Sequence, residues 1–282
     1  MPSEEPKTAF FEELLKASRK LELEYELAAA HVSESGARVM SAAANFLEGY
    51  AVFNHINQKT VLDSYLRTNH RYVCDIQTFI VTGKYPLEID SKQWDLGRAD
   101  YDLSLILSIL MAPHRCIIME EIVKTSISGR PLVIGVGSGV ELGFIYASDG
   151  GDAYDLYING YARQAYPQWN FHAKLYRPSG CRYEAIYAIE LLEHLSEPYA
   201  FIADCHESLA PGGRFITTTA SNVPQFDHRY NFVSDEDFER QVAALGFELE
   251  SKRVIPHEYG LMNIRASNVF NARNVFYVFR KN

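Results

Sequence analysis

The sequence PLVIGVGSGVE, residues 131–141, decides the fold of the second half of the chain. Its apolar start predicts a buried strand, and Gly135, Gly137 and Gly139 predict a tight turn into a helix. Glycines let a ligand approach the backbone closely, and the following helix begins with unpaired N–H groups. The GxGxG spacing is neither the dinucleotide-binding GxGxxG nor a P-loop. The stretch indicates a ligand-binding turn, and a tight turn without a ligand remains the alternative.

Strand and helix patterns alternate on the C-terminal side of this stretch, which favours a parallel sheet with right-handed crossovers. A helix is predicted over 140–148, directly after the glycines. Two successive strands without a helix between them, over 247–254 and 274–280, predict that the sheet ends with an antiparallel pair of strands. The predicted strands before them lie at 132–136, 154–158, 171–176, 185–189 and 214–219.

Residues 1–128 have helical patterns instead. Apolar side chains recur on one face of the first pattern, at Phe10, Leu14, Leu21, Tyr25 and Ala28. Further helices are predicted over 37–56, 60–81 and 100–110, and another begins at Pro113. We therefore expect an all-helical domain over 1–128 and an α/β domain over 129–282. The helical domain would serve as a lid over a substrate pocket or as a dimer surface.

Two more motifs follow the glycines in order. The first is Glu190-Leu-Leu-Glu193-His194-Leu, and the second is a Leu-Ala-Pro-Gly-Gly turn over 209–213 that introduces an apolar strand. With the glycine stretch, they closely resemble the motifs of the class I S-adenosylmethionine-dependent methyltransferases. The resemblance covers about residues 130–282, and residues 1–128 resemble no family that we can name.

The resemblance implies a doubly wound, Rossmann-like sheet of seven strands whose last strand is antiparallel. It implies S-adenosylmethionine as the cofactor, lying across the carboxyl ends of the first strands. The second strand would end near Asn159, and the loop after the third strand would contact the adenine. The cofactor-binding residues that the resemblance implies are Gly135, Gly137, Ser138, Gly139, Asn159, Ala173, Lys174, Glu190 and Leu191.

Two positions depart from the family pattern. Val133 stands where the family often has an acidic residue for the methionine ammonium group, and Asn159 stands where an acid usually accepts from the ribose hydroxyls. An amide accepts less strongly than a carboxylate. Asp155 is a substitute four residues early in the sequence, and Glu141 or Glu190 could replace the missing ammonium partner.

The function that the resemblance implies is methyl transfer to an oxygen or nitrogen of a small molecule. The altered acids leave two alternatives open, transfer of the aminobutyrate group of the same cofactor and a non-catalytic binding or scaffold protein. His228 and His194 are candidate bases, although each could instead only brace the local structure. The candidate substrate contacts are Arg98, Tyr101, Tyr230, Tyr259 and Asn263.

Composition limits the partners. The formal net charge of −9 opposes binding to a polyphosphate backbone, so no nucleic-acid partner is expected. The most apolar stretch, 103–111, is too short to span a bilayer, and the N-terminal sequence does not have the pattern of a signal peptide. We therefore expect a cytoplasmic protein without membrane association. The cysteines lack CxxC spacing and the histidines show no ligand spacing, which predicts no metal site.

Overall fold

The computed structural model describes residues 8–83, 97–125, 127–147, 150–256 and 271–282. Within them, seven strands form one sheet in the order β3-β2-β1-β4-β5-β7-β6. Strands β1 to β5 run parallel, and β7 is antiparallel to both β5 and β6, which confirms the predicted fold class. The strands are β1 (Pro131–Ile134), β2 (Gly151–Asp155), β3 (Trp169–Ala173), β4 (Tyr183–Ala188), β5 (Leu209–Ser221), β6 (Phe247–Pro256) and β7 (Arg273–Lys281).

The second strand begins and ends earlier than the sequence predicts. The predicted strand 154–158 lies at Gly151–Asp155, because the small and acidic residues at its start are buried in the sheet. The Asp152 carboxylate accepts a hydrogen bond of 3.0 Å from the Tyr183 hydroxyl and lies 2.6 Å from the Arg130 guanidinium. A charge compensated in this way is tolerated inside a strand, so apolarity alone misplaces the strand. The predicted third strand, 171–176, is displaced in the same direction, to Trp169–Ala173.

The N-terminal region is helical, as predicted. Its first apolar pattern is divided between two helices, because the Ser18 hydroxyl accepts from the Leu21 N–H and begins a new helix. The helix predicted over 140–148 is a short 3-10 helix, Val140–Phe144. The α-helices are α1 (Ala9–Lys16), α2 (Arg19–Ala30), α3 (Glu34–Phe53), α4 (Gln58–Thr82), α5 (Arg98–Met111), α6 (Pro113–Lys124), α7 (Gly160–Ala165), α8 (Pro198–Ser208) and α9 (Asp235–Ala244).

One buried apolar cluster joins the N-terminal helices to the sheet. It includes Leu47 of α3 and Leu107 of α5 together with Val133 of β1 and Val278 of β7. A second cluster contains residues of β4, α8, α9 and β7, among them Phe238. The helices before β1 therefore share a core with the sheet. The division into a helical domain over 1–128 and an α/β domain over 129–282 stays a prediction.

Among the described helices, no single one is both long and apolar enough to cross a membrane. Helices α5 and α6 meet these two criteria only when taken together, and their axes differ by 85°.

Candidate functional site

The glycine loop, residues 135–139, follows β1 and has a backbone that disfavours side chains. Gly135, Gly137 and Gly139 have φ angles of 80°, 55° and 86°. The Gly137 N–H donates to Asp155 Oδ2 over 2.9 Å, which ties the loop to the end of β2. A Cβ added at Gly137 would lie 2.8 Å from Leu105 Cδ1. Gly137 therefore faces the Leu105 side chain, which would have to shift to admit a Cβ at this position.

A cavity of about 580 Å³ lies against this loop. Its walls come from the carboxyl ends of β1, β2 and β4, from the segment after β5, from the start of β7, and from helices α2, α4, α5 and α6. The volume falls within the range of about 300–1,000 Å³ that is typical of small-molecule sites. β1 lies inside the sheet, between β2 and β4, as the resemblance implies for a cofactor site.

The structure divides the predicted cofactor residues into two groups. Gly139 does not line the cavity and packs instead beside Ala162 of α7, whose Cβ would lie 2.6 Å from a Cβ added at this glycine. Ala173 ends β3 outside the cavity, and the Lys174 ammonium lies 5.9 Å from the centroid of the Tyr154 ring. The cavity is lined by Gly135, Gly137, Ser138, Glu190 and Leu191.

The prediction that β2 ends near Asn159 is wrong. β2 ends at Asp155, and Asn159 caps α7 instead. The Asn159 Oδ1 accepts from the Ala162 N–H over 2.7 Å, and its Nδ2 donates to the Ser138 carbonyl over 2.6 Å. The amide is therefore engaged in holding the glycine loop, and Asn159 is not among the residues that line the cavity.

Asp155 occupies the strand-end position that the sequence analysis gave to Asn159. Its Oδ1 accepts from the Tyr157 N–H over 3.1 Å, and the side chain lines the cavity. The departure inferred at Asn159 followed from the misplaced strand. Val133, by contrast, is buried within β1 and lies outside the cavity lining.

A buried group of charges lies in the cavity wall near the glycine loop. The Arg115 guanidinium is 2.7 Å from Glu141 Oε1 and 3.5 Å from Glu190 Oε2. Burial disfavours its charge, but Glu141 and Glu190 outweigh burial and raise the pKa of Arg115. Burial also raises the pKa of Glu141, against the opposing effect of Arg115. Sequence analysis missed Arg115, and the available signal was a lone arginine beside a largely apolar helical run.

The candidate substrate contacts are placed differently from one another. Arg98 Nη2 donates to the Gly137 carbonyl over 3.2 Å, so this side chain contacts the glycine loop. Tyr101 lines the cavity. Tyr230 does not line it, because its ring packs against Tyr199 and Phe232. Two further candidates, Tyr259 and Asn263, lie outside the described residues.

The two candidate bases meet in the cavity wall. His194 ends a short 3-10 helix, Leu192–His194, and its ring centroid lies 5.0 Å from that of His228. Together with Glu193 they form the His–Glu cluster, whose ligand-type atoms all lie within 4.8 Å of one another. All three residues line the cavity. Sequence analysis missed this grouping, because His228 comes from a distant segment after β5.

Both imidazoles are oriented by carbonyl oxygens. His194 Nδ1 lies 3.0 Å from the Asp227 carbonyl, and His228 Nδ1 lies 2.8 Å from the Val223 carbonyl. A carbonyl only accepts, so each Nδ1 carries the proton and each Nε2 of a neutral ring holds a lone pair. Burial disfavours the charged His194, yet the carboxylates of Asp227 and Glu193 raise its pKa. Burial, followed by repulsion from Glu190, raises the pKa of Glu193.

Among known proteins, the chain is similar in fold to several solved structures. No protein-family model matches the sequence, and no curated protein matches it. The pyocyanin biosynthetic protein PhzM is 14% identical, with a TM-score of 0.50 over 79% of this chain and 71% of PhzM. The N-methyltransferase NodS from Bradyrhizobium japonicum, solved with S-adenosylhomocysteine, is 14% identical, with a TM-score of 0.49 over 60% of this chain and 88% of NodS. A third similar structure is the Burkholderia thailandensis 1,6-didemethyltoxoflavin-N1-methyltransferase, solved with 1,6-didemethyltoxoflavin and S-adenosylhomocysteine. It is 14% identical, with a TM-score of 0.45 over 58% of this chain and 78% of that enzyme.

The strand order and the PhzM match bear on the fold alone. The match covers 79% of the chain, which is more than the segment after residue 128, so it extends into the N-terminal helices. With its β3-β2-β1-β4-β5-β7-β6 sheet and antiparallel β7, the chain has the fold of the class I S-adenosylmethionine-dependent methyltransferases.

Proposed function

We propose that the protein is an S-adenosylmethionine-dependent methyltransferase that acts on an oxygen or nitrogen atom of a small molecule. One observation carries the proposal. A glycine loop, a strand-end carboxylate and a buried group of opposite charges line the same cavity at the carboxyl ends of parallel strands. Ligands of open α/β sheets bind at this end of the strands.

The residues present fit the cofactor. Gly135 and Gly137 line the cavity with backbone alone, against which the adenosyl part can lie, and the Asp155 carboxylate can accept from the ribose hydroxyls. The Arg115 guanidinium offers donors to the methionine carboxylate, and Glu141 or Glu190 offers an acceptor to its ammonium group. Charge-assisted hydrogen bonds contribute about 1.5–3 kcal/mol each. This group supplies what Val133 lacks.

The chemistry asks little of the protein beyond alignment. The bound cofactor supplies a methyl group activated by a sulfonium, and the transfer is an in-line displacement. Helices α4, α5 and α6 wall the cavity, which supports exclusion of water and alignment of the acceptor. We assign His194 and His228 to the acceptor end, where an Nε2 lone pair can take the acceptor's proton.

The proposed partners follow from size and charge. A cavity of about 580 Å³ suits a small acceptor beside the cofactor. The net charge of −9 argues against a nucleic-acid substrate. We also propose a cytoplasmic location without membrane binding, and a homodimer through the N-terminal helices, which sedimentation analysis of the purified protein tests.

Calorimetry with S-adenosylhomocysteine tests the cofactor assignment. We expect saturable binding to the full-length protein with one ligand per chain. Arg115→Met keeps the length of the side chain but removes its charge, and it should weaken binding at least about tenfold, or about 1.4 kcal/mol. Arg177→Met is a matched control, because Arg177 is an exposed arginine that does not line the cavity. Absence of heat with the wild type at about 1 mM ligand would overturn the proposal.

The alternatives leave different products. Aminobutyrate transfer would accumulate methylthioadenosine, methyl transfer would accumulate S-adenosylhomocysteine, and a non-catalytic protein would bind the cofactor without turnover. Mass analysis of the spent cofactor after incubation with an acceptor panel separates the first two. The Arg115, Glu141 and Glu190 group supports binding of the cofactor's methionine end, whose missing partner at Val133 motivated the alternatives.

A further inference from the structure

We propose that the His–Glu cluster, formed by Glu193, His194 and His228, binds a divalent transition-metal ion. The inference concerns these side chains alone and does not depend on the proposed function. Two imidazoles and one carboxylate are a ligand set that Zn²⁺, Fe²⁺ and Co²⁺ share, whereas Mg²⁺ prefers oxygen ligands alone.

The geometry is close to that of a bound site. The ligand-type atoms lie within 4.8 Å of one another. An ion with bonds of about 2.0–2.2 Å separates its ligands by about 3–3.5 Å. Side-chain rotations that draw each atom inward by about 1 Å would close the site. Glu193 and His194 are adjacent in one 3-10 helix, and His228 reaches them from the segment after β5.

The Glu193 carboxylate gives the second observation. It is 1% exposed and lines the cavity, and neither oxygen has a hydrogen-bond partner among the described residues. A buried carboxylate without partners costs several kcal/mol unless it holds a proton or a cation compensates it. The nearby Arg115 guanidinium contacts Glu141 and Glu190 instead, at 2.7 and 3.5 Å. A metal ion would supply the missing positive charge.

The surroundings of both imidazoles are those of metal ligands. Each Nδ1 proton is directed to a carbonyl oxygen, of Asp227 for His194 and of Val223 for His228. This fixes the tautomer that presents Nε2 as the ligand atom. The Asp227 carboxylate lies 3.6 Å from His194 Nδ1 and increases the ring's basicity. With an ion bound, the charges of Glu193 and Asp227 balance those of the metal.

Three protein ligands leave the ion with open positions, as in catalytic rather than structural metal sites. Because all three ligands line the cavity, a water molecule or a ligand oxygen can fill these positions. If the proposed function holds, that ligand would be the acceptor, and with both Nε2 atoms bound the ion would promote loss of the acceptor's proton in place of the imidazoles.

Calorimetric titration of the chelator-treated, full-length protein with Zn²⁺, and separately with Mg²⁺, tests the site. We expect one Zn²⁺ per chain at micromolar concentration and no Mg²⁺ binding there. Co²⁺ should give the visible absorption of a nitrogen-ligated ion. The inference would be overturned if the wild type bound no Zn²⁺, or if it bound Mg²⁺ as tightly as Zn²⁺.

Variants locate the ion. Glu193→Gln and His228→Asn should each weaken Zn²⁺ binding by about 100-fold or more. Replacing a residue that only hydrogen-bonds to a metal ligand already lowers metal affinity by about 10–100-fold. Asp227→Asn should fall within that lower range. His31→Gln removes an exposed histidine outside the cavity and should leave Zn²⁺ binding unchanged.

Circular dichroism first establishes that each variant is folded. Glu193→Gln is nearly isosteric with the wild type, so it can still be tested if a histidine variant unfolds. Unchanged Zn²⁺ binding in a folded Glu193→Gln protein would contradict the assignment. Binding of S-adenosylhomocysteine is measured separately without metal. Zn²⁺ binding without nucleoside binding would therefore refute the proposed function alone, and the reverse result would refute the metal site alone.

Discussion

At the scale of single residues, Gly137 carries the cofactor assignment. Its φ of 55° disfavours any L side chain, and a Cβ would lie 2.8 Å from Leu105 Cδ1 at the cavity wall. We expect Gly137→Val to abolish binding of S-adenosylhomocysteine, measured by calorimetry. Gly212→Val is the matched control, because Gly212 also has a positive φ, of 73°, but nothing within 4 Å. It should cost stability and preserve binding, and full retention by the Gly137 variant would contradict the assignment.

Asp102 gives a prediction about pH. Burial raises the pKa of this carboxyl to about 6, against the opposing effects of Arg98 and the hydrogen bond from Tyr50. The unfolded chain titrates near 3.8, so the folded state holds the extra proton between these values. This contribution to stability is complete below the unfolded pKa and is lost as the pH rises through about 6.

The size of the Asp102 effect is at most about 3 kcal/mol, because one pKa unit corresponds to about 1.4 kcal/mol. Urea unfolding of the wild type and of Asp102→Asn at pH values on both sides of this window measures it. The unfolding free energy of the wild type, relative to that of Asp102→Asn, should fall as the pH rises through this window. A difference that is the same at every pH would refute the prediction.

At the scale of elements, the cap of α7 is also a support for the glycine loop. Asn159 accepts from the Ala162 N–H and donates to the Ser138 carbonyl. Asn159→Ala should lower the unfolding free energy by about 0.5–2 kcal/mol through the lost cap. It should also weaken binding of S-adenosylhomocysteine, because the loop loses its tie to α7.

Ser234 offers the comparison for Asn159. It caps α9 through the Asp237 N–H at 3.1 Å and does not line the cavity. Ser234→Ala should cost a similar amount of stability and leave ligand binding unchanged. Chemical denaturation and calorimetry on both variants separate the two roles. Equal ligand affinity in both would show that α7 is capped independently of the site.

At the scale of the whole molecule, the shared core predicts one cooperative unfolding transition. Leu47 of α3 and Val278 of β7 belong to the same buried cluster. Leu47→Ala should destabilise by about 2–5 kcal/mol. It should shift the transition of the whole chain, and a Val278→Ala variant should shift the same transition. Calorimetric scans that resolve two transitions, each moved by only one variant, would instead support separate folding of 1–128 and 129–282.

The order of elements, the class of sheet and the place of the glycine loop can be predicted from the amino-acid pattern. These follow from local patterns, because apolar periodicity and glycine spacing act between near neighbours. The shift of β2 was not readable, since the Asp152 charge is compensated by Tyr183 and Arg130 from elsewhere.

The composition of the site, by contrast, depends on the folded arrangement of the chain. It exchanged Asn159 for Asp155, brought Arg115 from an N-terminal helix to Glu141, and placed His228 beside Glu193 and His194. These contacts join segments far apart in the chain. Their formation depends on how the helices pack on the sheet, which no local pattern encodes.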